Sequence, residues 1–207
     1  MKLAAIRELH AYWNLLRGER CAPERSEIDP GAIRGVLADT FILEVDSFRR
    51  YPMRIVGTRT NSLFARELKD GAFLDLWQAP YQREIASILA SVADEAVAVL
   101  AGISTRPPGL QALDLELLLL PLRHHGHTRS RILGAISPAR LPSWMGLLPA
   151  APLTLLSLRV LGRAESAPEK QSPPARDEPA RAAGFSRAPH VDRRGHLFVI
   201  TSAVQRH

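Results

Sequence analysis

Several things are scarce in this 207-residue chain, and each scarcity excludes a class of function. There is one cysteine, Cys21, so no internal disulfide forms and no cysteine-based zinc framework is available. Cys21 sits in the polar stretch Gly18-Glu19-Arg20-Cys21-Ala22-Pro23, without the electropositive setting that a reactive thiol needs. Long apolar runs are missing too. The greasiest stretch, Leu115 to Leu122, contains Glu116 and Pro121 and is far short of the roughly 18 residues that suggest a membrane span. Arg7 and Glu8 interrupt the apolar start of the chain, so no signal peptide is read there. A soluble, cytoplasmic protein is the expectation. The 13 glycines are scattered singly, with no phosphate-cradling GxGxxG or GxxxxGK. No Gly-x-Ser-x-Gly elbow marks a hydrolase, and the chain is not expected to be an enzyme.

The net charge of +6 and a pI near 10.2 invite a nucleic-acid reading. The distribution argues against it. Residues 1–162 carry 19 Lys and Arg against 16 Asp and Glu, interspersed, whereas phosphate binding requires positive groups gathered on one face. A nucleic-acid-binding regulator is therefore the weakest alternative. His124, His125 and His127 lie close together in the chain. Neighbours in a hairpin point to opposite faces, so the cluster reads as a solvated turn, and no metal is assigned.

Periodicity supplies the elements. Leu3, Ile6, Leu9, Trp13 and Leu16 recur at spacings of three and four and predict an amphipathic helix over 3–17, ended by Gly18. The stripe packs on its own domain or also meets a partner. Asp29-Pro30 predicts the start of a second short helix, with Ile33 and Leu37 on its buried face. A strand follows over 39–45, then a second over 51–57 with Met53, Ile55 and Gly57 on one face. Residues 58–77 read as broken helix and 81–94 as a longer one. Three more strands are expected at 96–101, 113–122 and 131–136, and 153–161 is a candidate for one further strand. The last hairpin turns at His124-His125-Gly126-His127-Thr128.

Residues 163–195 differ in kind. Prolines 168, 173, 174, 179 and 189 are scattered among alanine, serine and mixed charge, a composition that predicts a disordered linker. Beyond it, within 196–207, Leu197-Phe198-Val199-Ile200 is a β-prone segment that either docks on the sheet edge or serves a partner as a peptide. The order of elements over residues 1–162 predicts an α+β domain with a five-stranded antiparallel sheet and helices gathered on one face.

A series of short motifs carries a resemblance. They are Tyr12-Trp13, Leu16-Arg17-Gly18, Pro23, Ile28-Asp29-Pro30, Phe41-Ile42-Leu43, Arg54 with Gly57-Thr58, Leu63-Phe64, Glu67-Leu68, Phe73, Leu76-Trp77, Leu118 to Leu122, Gly126 and Ile132-Leu133-Gly134. In this order the chain resembles a bacterial PAS-domain family common in alphaproteobacteria. One departure is Ala65, where the family is expected to prefer glycine. The resemblance implies a stand-alone, non-catalytic signal-transduction module that binds a protein partner or a second copy of itself (a homodimer), a small-molecule ligand, or both. It implies a pocket beneath the broken helices, to which Arg54, Thr58, Asn61 and Trp77 would bring a charge, two hydrogen-bonding groups and an aromatic wall. No cofactor is identified. A structural adaptor with a filled core and no ligand is the alternative.

Overall fold

The computed structural model of the chain describes residues 1–161. The segments 163–195 and 196–207 lie outside the described residues.

Three α-helices and six strands make up the described fold: α1 Ala4–Arg17, β1 Thr40–Glu44, β2 Met53–Val56, α2 Thr58–Leu63, α3 Ala79–Asp94, β3 Ala98–Thr105, β4 Leu113–His124, β5 His127–Pro138 and β6 Thr154–Leu161. Single 3₁₀ turns occupy Arg25–Glu27, Leu37–Asp39 and Phe73–Leu76. The strands form one antiparallel sheet in the order β2-β1-β5-β4-β3-β6. Five of the six are the strands expected, and the candidate at 153–161 forms the sixth, paired along β3.

Both faces of this sheet are covered. On the inner face Phe41, Leu43, Leu117, Leu119, Ile132 and Ile136 pack with residues of α2, α3 and the Phe73–Leu76 turn. Their alternating neighbours Ile42, Leu118, Leu120, Leu133 and Ala135 pack on the outer face with Ile6, Leu9 and Trp13 of α1. Two-sided burial explains why β4 reads as a continuous apolar run rather than an alternation. The α1 stripe is thus buried in the protein's own core. Helix α1 ends at Gly18, whose φ of +53° suits glycine. It begins on a carboxylate: the backbone N–H groups of Lys2 and Leu3 donate to Glu116 of β4 at 2.8 and 2.9 Å.

Two local expectations change. The stretch after Asp29 is a run of turns, with N–H to C=O bonds from Ala32 to Asp29, Val36 to Ile33 and Asp39 to Val36. Asp29 does accept a backbone bond, from Gly31 at 2.8 Å, but it closes a turn. Gly31 and Gly35 make a continuous helix costly there. In β2 the strict alternation fails. Ile42 faces Ile55, but Leu43 faces Met53, so a β-bulge takes up Arg54. Met53 and Val56 consequently join the inner core while Ile55 is left exposed.

The β4–β5 hairpin closes through His125 and Gly126, both with positive φ, +52° and +83°, the signature of a two-residue primed turn. At the centre of the inner face β5 carries Gly134 beneath Phe41. A Cβ on Gly134 would lie 2.2 Å from the phenyl ring, so only glycine lets the ring lie flat on the sheet.

Candidate functional site

The inner layer is where short elements converge. Thr58–Leu63 is only six residues long, and the chain leaves it through Ala65, whose φ is +48°. A left-handed conformation costs a residue with a Cβ about 1–2 kcal/mol. The glycine preferred at this position therefore has a backbone reason, which Ala65 meets at a cost. Asn61 organises the same corner. Its side-chain carbonyl accepts the Leu68 N–H at 3.2 Å, and its amide donates to Glu67 at 3.0 Å.

Beneath this corner lies an aromatic group. Phe41 stacks on Phe73 with ring centres 5.3 Å apart, and Phe73 meets Trp77 edge-on at 6.0 Å. Trp77 is 2% exposed, and its indole N–H has no hydrogen-bond acceptor among the described residues. A buried donor without a partner costs about 1–3 kcal/mol. The other buried tryptophan, Trp13, donates from its ring to the Pro121 carbonyl at 2.9 Å.

The segment after β5 straps this layer down. Gly146 N–H donates to the Ser62 carbonyl, Ala150 to Leu63 and Leu153 to Leu76, while Gln78 N–H returns a bond to Leu153. Trp144, Met145 and Ala150 of the strap pack against the inner core. Sequence reasoning passed over this segment. Its signal was the large apolar pair Trp144-Met145 in a stretch punctuated by Pro138, Pro142, Pro149 and Pro152.

The four residues singled out from the sequence do not gather around one space. Arg54, carried on the bulge, has a side chain 45% exposed and pairs with Glu44 at 2.6 Å and Asp70 at 2.5 Å. Thr58 opens α2 and is exposed. Asn61 serves the loop at 64–68, and Trp77 lies in the packed core. The described cavities lie elsewhere. One, of about 290 Å³, is a cleft on the outer face between Lys2 and Leu3 and the strands β3 and β6; the other, of about 330 Å³, lies between residues 110–113 and 140–144.

A charged pair missed from sequence sits where α2 meets β1. Asp39 is 1% exposed, and one of its carboxylate oxygens accepts from the Arg59 guanidinium. The other oxygen has no partner among the described residues. Burial pushes the Asp39 carboxyl above the usual carboxylate range, against the opposing pull of Arg59. The hint in the sequence was a carboxylate immediately before an apolar strand. Gly57 makes this seam tight, since a Cβ there would lie 2.4 Å from the Leu37 and Ala38 carbonyl oxygens.

Among the described residues no three of His, Cys, Asp or Glu gather as a metal site. Nor is any described helix long and apolar enough to cross a membrane.

Comparison with curated proteins found no match. A family model described as the PAS domain matches residues 1–137, from the start of the chain to near the end of β5. The strap and β6 follow that match. PAS domains are signalling and sensory modules. With most of its length matched and a sheet of the corresponding antiparallel kind, the chain belongs to the PAS-domain family.

Proposed function

We propose that this protein is a non-catalytic, cytoplasmic PAS signalling module whose output is a contact with another protein, with the strap and β6 forming part of the same domain. The observation that carries this reading is the filling of the inner layer. Phe41, Phe73 and Trp77 occupy the space under the short helices with exposures of 0%, 0% and 2%, and the strap closes over them. A module built this way acts through its surface, by which partner it binds.

A second reading is favoured by one atom. The indole N–H of Trp77, without an acceptor among the described residues, is the group that a small ligand bearing a hydrogen-bond acceptor would satisfy. On this reading the domain is a sensor, and Trp77 supplies a donor as well as an aromatic wall. Arg54, Thr58 and Asn61 then contribute by holding the surrounding loop and the β2 edge.

Native mass spectrometry of the full chain purified from its own host separates the two. The expected result is the polypeptide mass alone, unchanged on denaturation. A small molecule retained in the native spectrum and released by acid would replace the first reading with the second.

A further inference from the structure

We propose that the free edge of β6 is a strand-docking site for the chain's own segment Leu197–Ile200. Among the described residues strand β6 ends the sheet order and pairs with β3 alone. Its other side is a row of backbone donors and acceptors eight residues long, a template for one more strand. Natural edges of this length are blunted by charge or proline. This one carries a single charge, Arg159, and leaves Leu156 and Val160 58% and 57% exposed.

The two apolar residues lie on opposite faces. Val160 is registered with Val99 of the inner face. Leu156 sits at the irregularity between the Gly102 and Ile103 pairings and lines the outer-face cleft. A strand added here therefore meets apolar surface on both sides and must itself be apolar on both. Alternating strands fail that requirement, whereas a continuous run meets it, as Leu117 to Leu120 do in β4. Leu197-Phe198-Val199-Ile200 is such a run. Its outer-facing side chains would lie beside the cleft of about 290 Å³, where Gly102 contributes no side chain to the floor.

Reach and concentration favour the chain's own segment over a second copy. The 162–196 stretch separates it from β6. A linker of that size spans roughly 30 Å even at coil dimensions, about the length of β6 itself at ~3.3 Å per residue. Tethering places the segment near β6 at an effective concentration in the millimolar range, well above that of a separate molecule in dilute solution. Backbone pairing then supplies affinity, and the apolar faces supply register.

The test uses the full chain with its one cysteine removed by Cys21→Ser. Val160→Cys is combined in four separate variants with a cysteine substitution at 197, 198, 199 or 200, followed by mild oxidation at low protein concentration. The expected result is an intrachain bridge concentrated at one position, weaker two residues away and least at its immediate neighbours. Only the residue opposite Val160 lies within disulfide reach, and adjacent side chains point to the other face. Amide exchange of the unmodified chain supplies the second measurement. Residues 197–200 should exchange at least about tenfold more slowly than residues 170–190, and Val199→Pro should abolish the difference while speeding exchange in β6. Four outcomes overturn the proposal: concentration-dependent interchain bridging, which assigns the edge to a second copy; equal bridging at all four positions; no bridging; or residues 197–200 exchanging as fast as 170–190.

Discussion

The two faces of the sheet are buried by different means. On the outer face one regular helix lays Ile6, Leu9 and Trp13 on the strands. The Trp13 ring nitrogen has its acceptor on β4, and the start of the helix is tied to the same strand by Glu116. On the inner face α3 is accompanied by the six-residue α2, a 3₁₀ turn and a strap. Both unpartnered buried side-chain atoms among the described residues, in Asp39 and Trp77, belong to the inner helices or to their seam with β1. Such atoms store unfavourable free energy that a ligand, a water or a rearrangement can release. The outer face works as a foundation. The inner face keeps the unresolved interactions, and in a signalling domain those are the places where a second state can differ from the first.

The largest expected contrast comes from the two tryptophans. Trp13→Phe removes a buried hydrogen bond and strands the Pro121 carbonyl, so it should cost about 2–4 kcal/mol. Trp77→Phe loses ring volume but also removes the unpaired donor, and should fall within ~1 kcal/mol of wild type. Urea unfolding followed by far-ultraviolet circular dichroism measures both. Equal costs would mean that the Trp77 N–H has an acceptor in solution, and the contrast between the faces would collapse.

A smaller effect is expected at the corner of the inner layer. Ala65→Gly relieves a left-handed alanine and should stabilise the fold by up to about 1 kcal/mol, the greater freedom of glycine in the unfolded chain offsetting part of the gain. Loss of stability in the same unfolding experiment would show that the Cβ is packed and that the position is not strained.

Asp39 gives the smallest effect, visible as a slope. Its pKa in the fold is raised, so the folded state holds its proton more tightly than the unfolded chain does. The resulting stabilisation is fully present below the ordinary carboxylate range and is lost as pH rises through the raised value. Asp39→Asn lacks that dependence. The stability of the variant relative to wild type should therefore increase between about pH 4 and about pH 7. A flat difference would mean that Arg59 fully compensates the buried charge.

Much of this contrast was legible in the residues, though unevenly. The α1 stripe and the strands of the sheet follow from spacing and composition, because burial on one face imposes a period. The run Leu117 to Leu120 also recorded that the sheet is covered twice, a signal weaker than the element order that placed the helices on one face. The bulge at Arg54 left no such trace, since one extra residue in a four-residue strand barely alters its pattern. The candidate site was legible only in part. Trp77 could be recognised as buried or as lining a pocket, but whether its N–H finds an acceptor depends on strand and strap geometry that no local pattern encodes. Asp39 and Arg59 are separated by an entire hairpin and meet only because β2 returns alongside β1.

The position of β5 bears on how the molecule is made. Strand β1 lies between β2 and β5, with Thr40 opposite Ala135, so its second partner arrives late in the chain. At ribosomal rates of about 5–20 residues per second, that wait is roughly five to twenty seconds. During that interval β1 offers an apolar edge with nothing to close it. Folding is governed by this one long loop closure and should be slow for a domain of this size. The nascent chain has its greatest need of a chaperone after β1 has emerged and before β5 does.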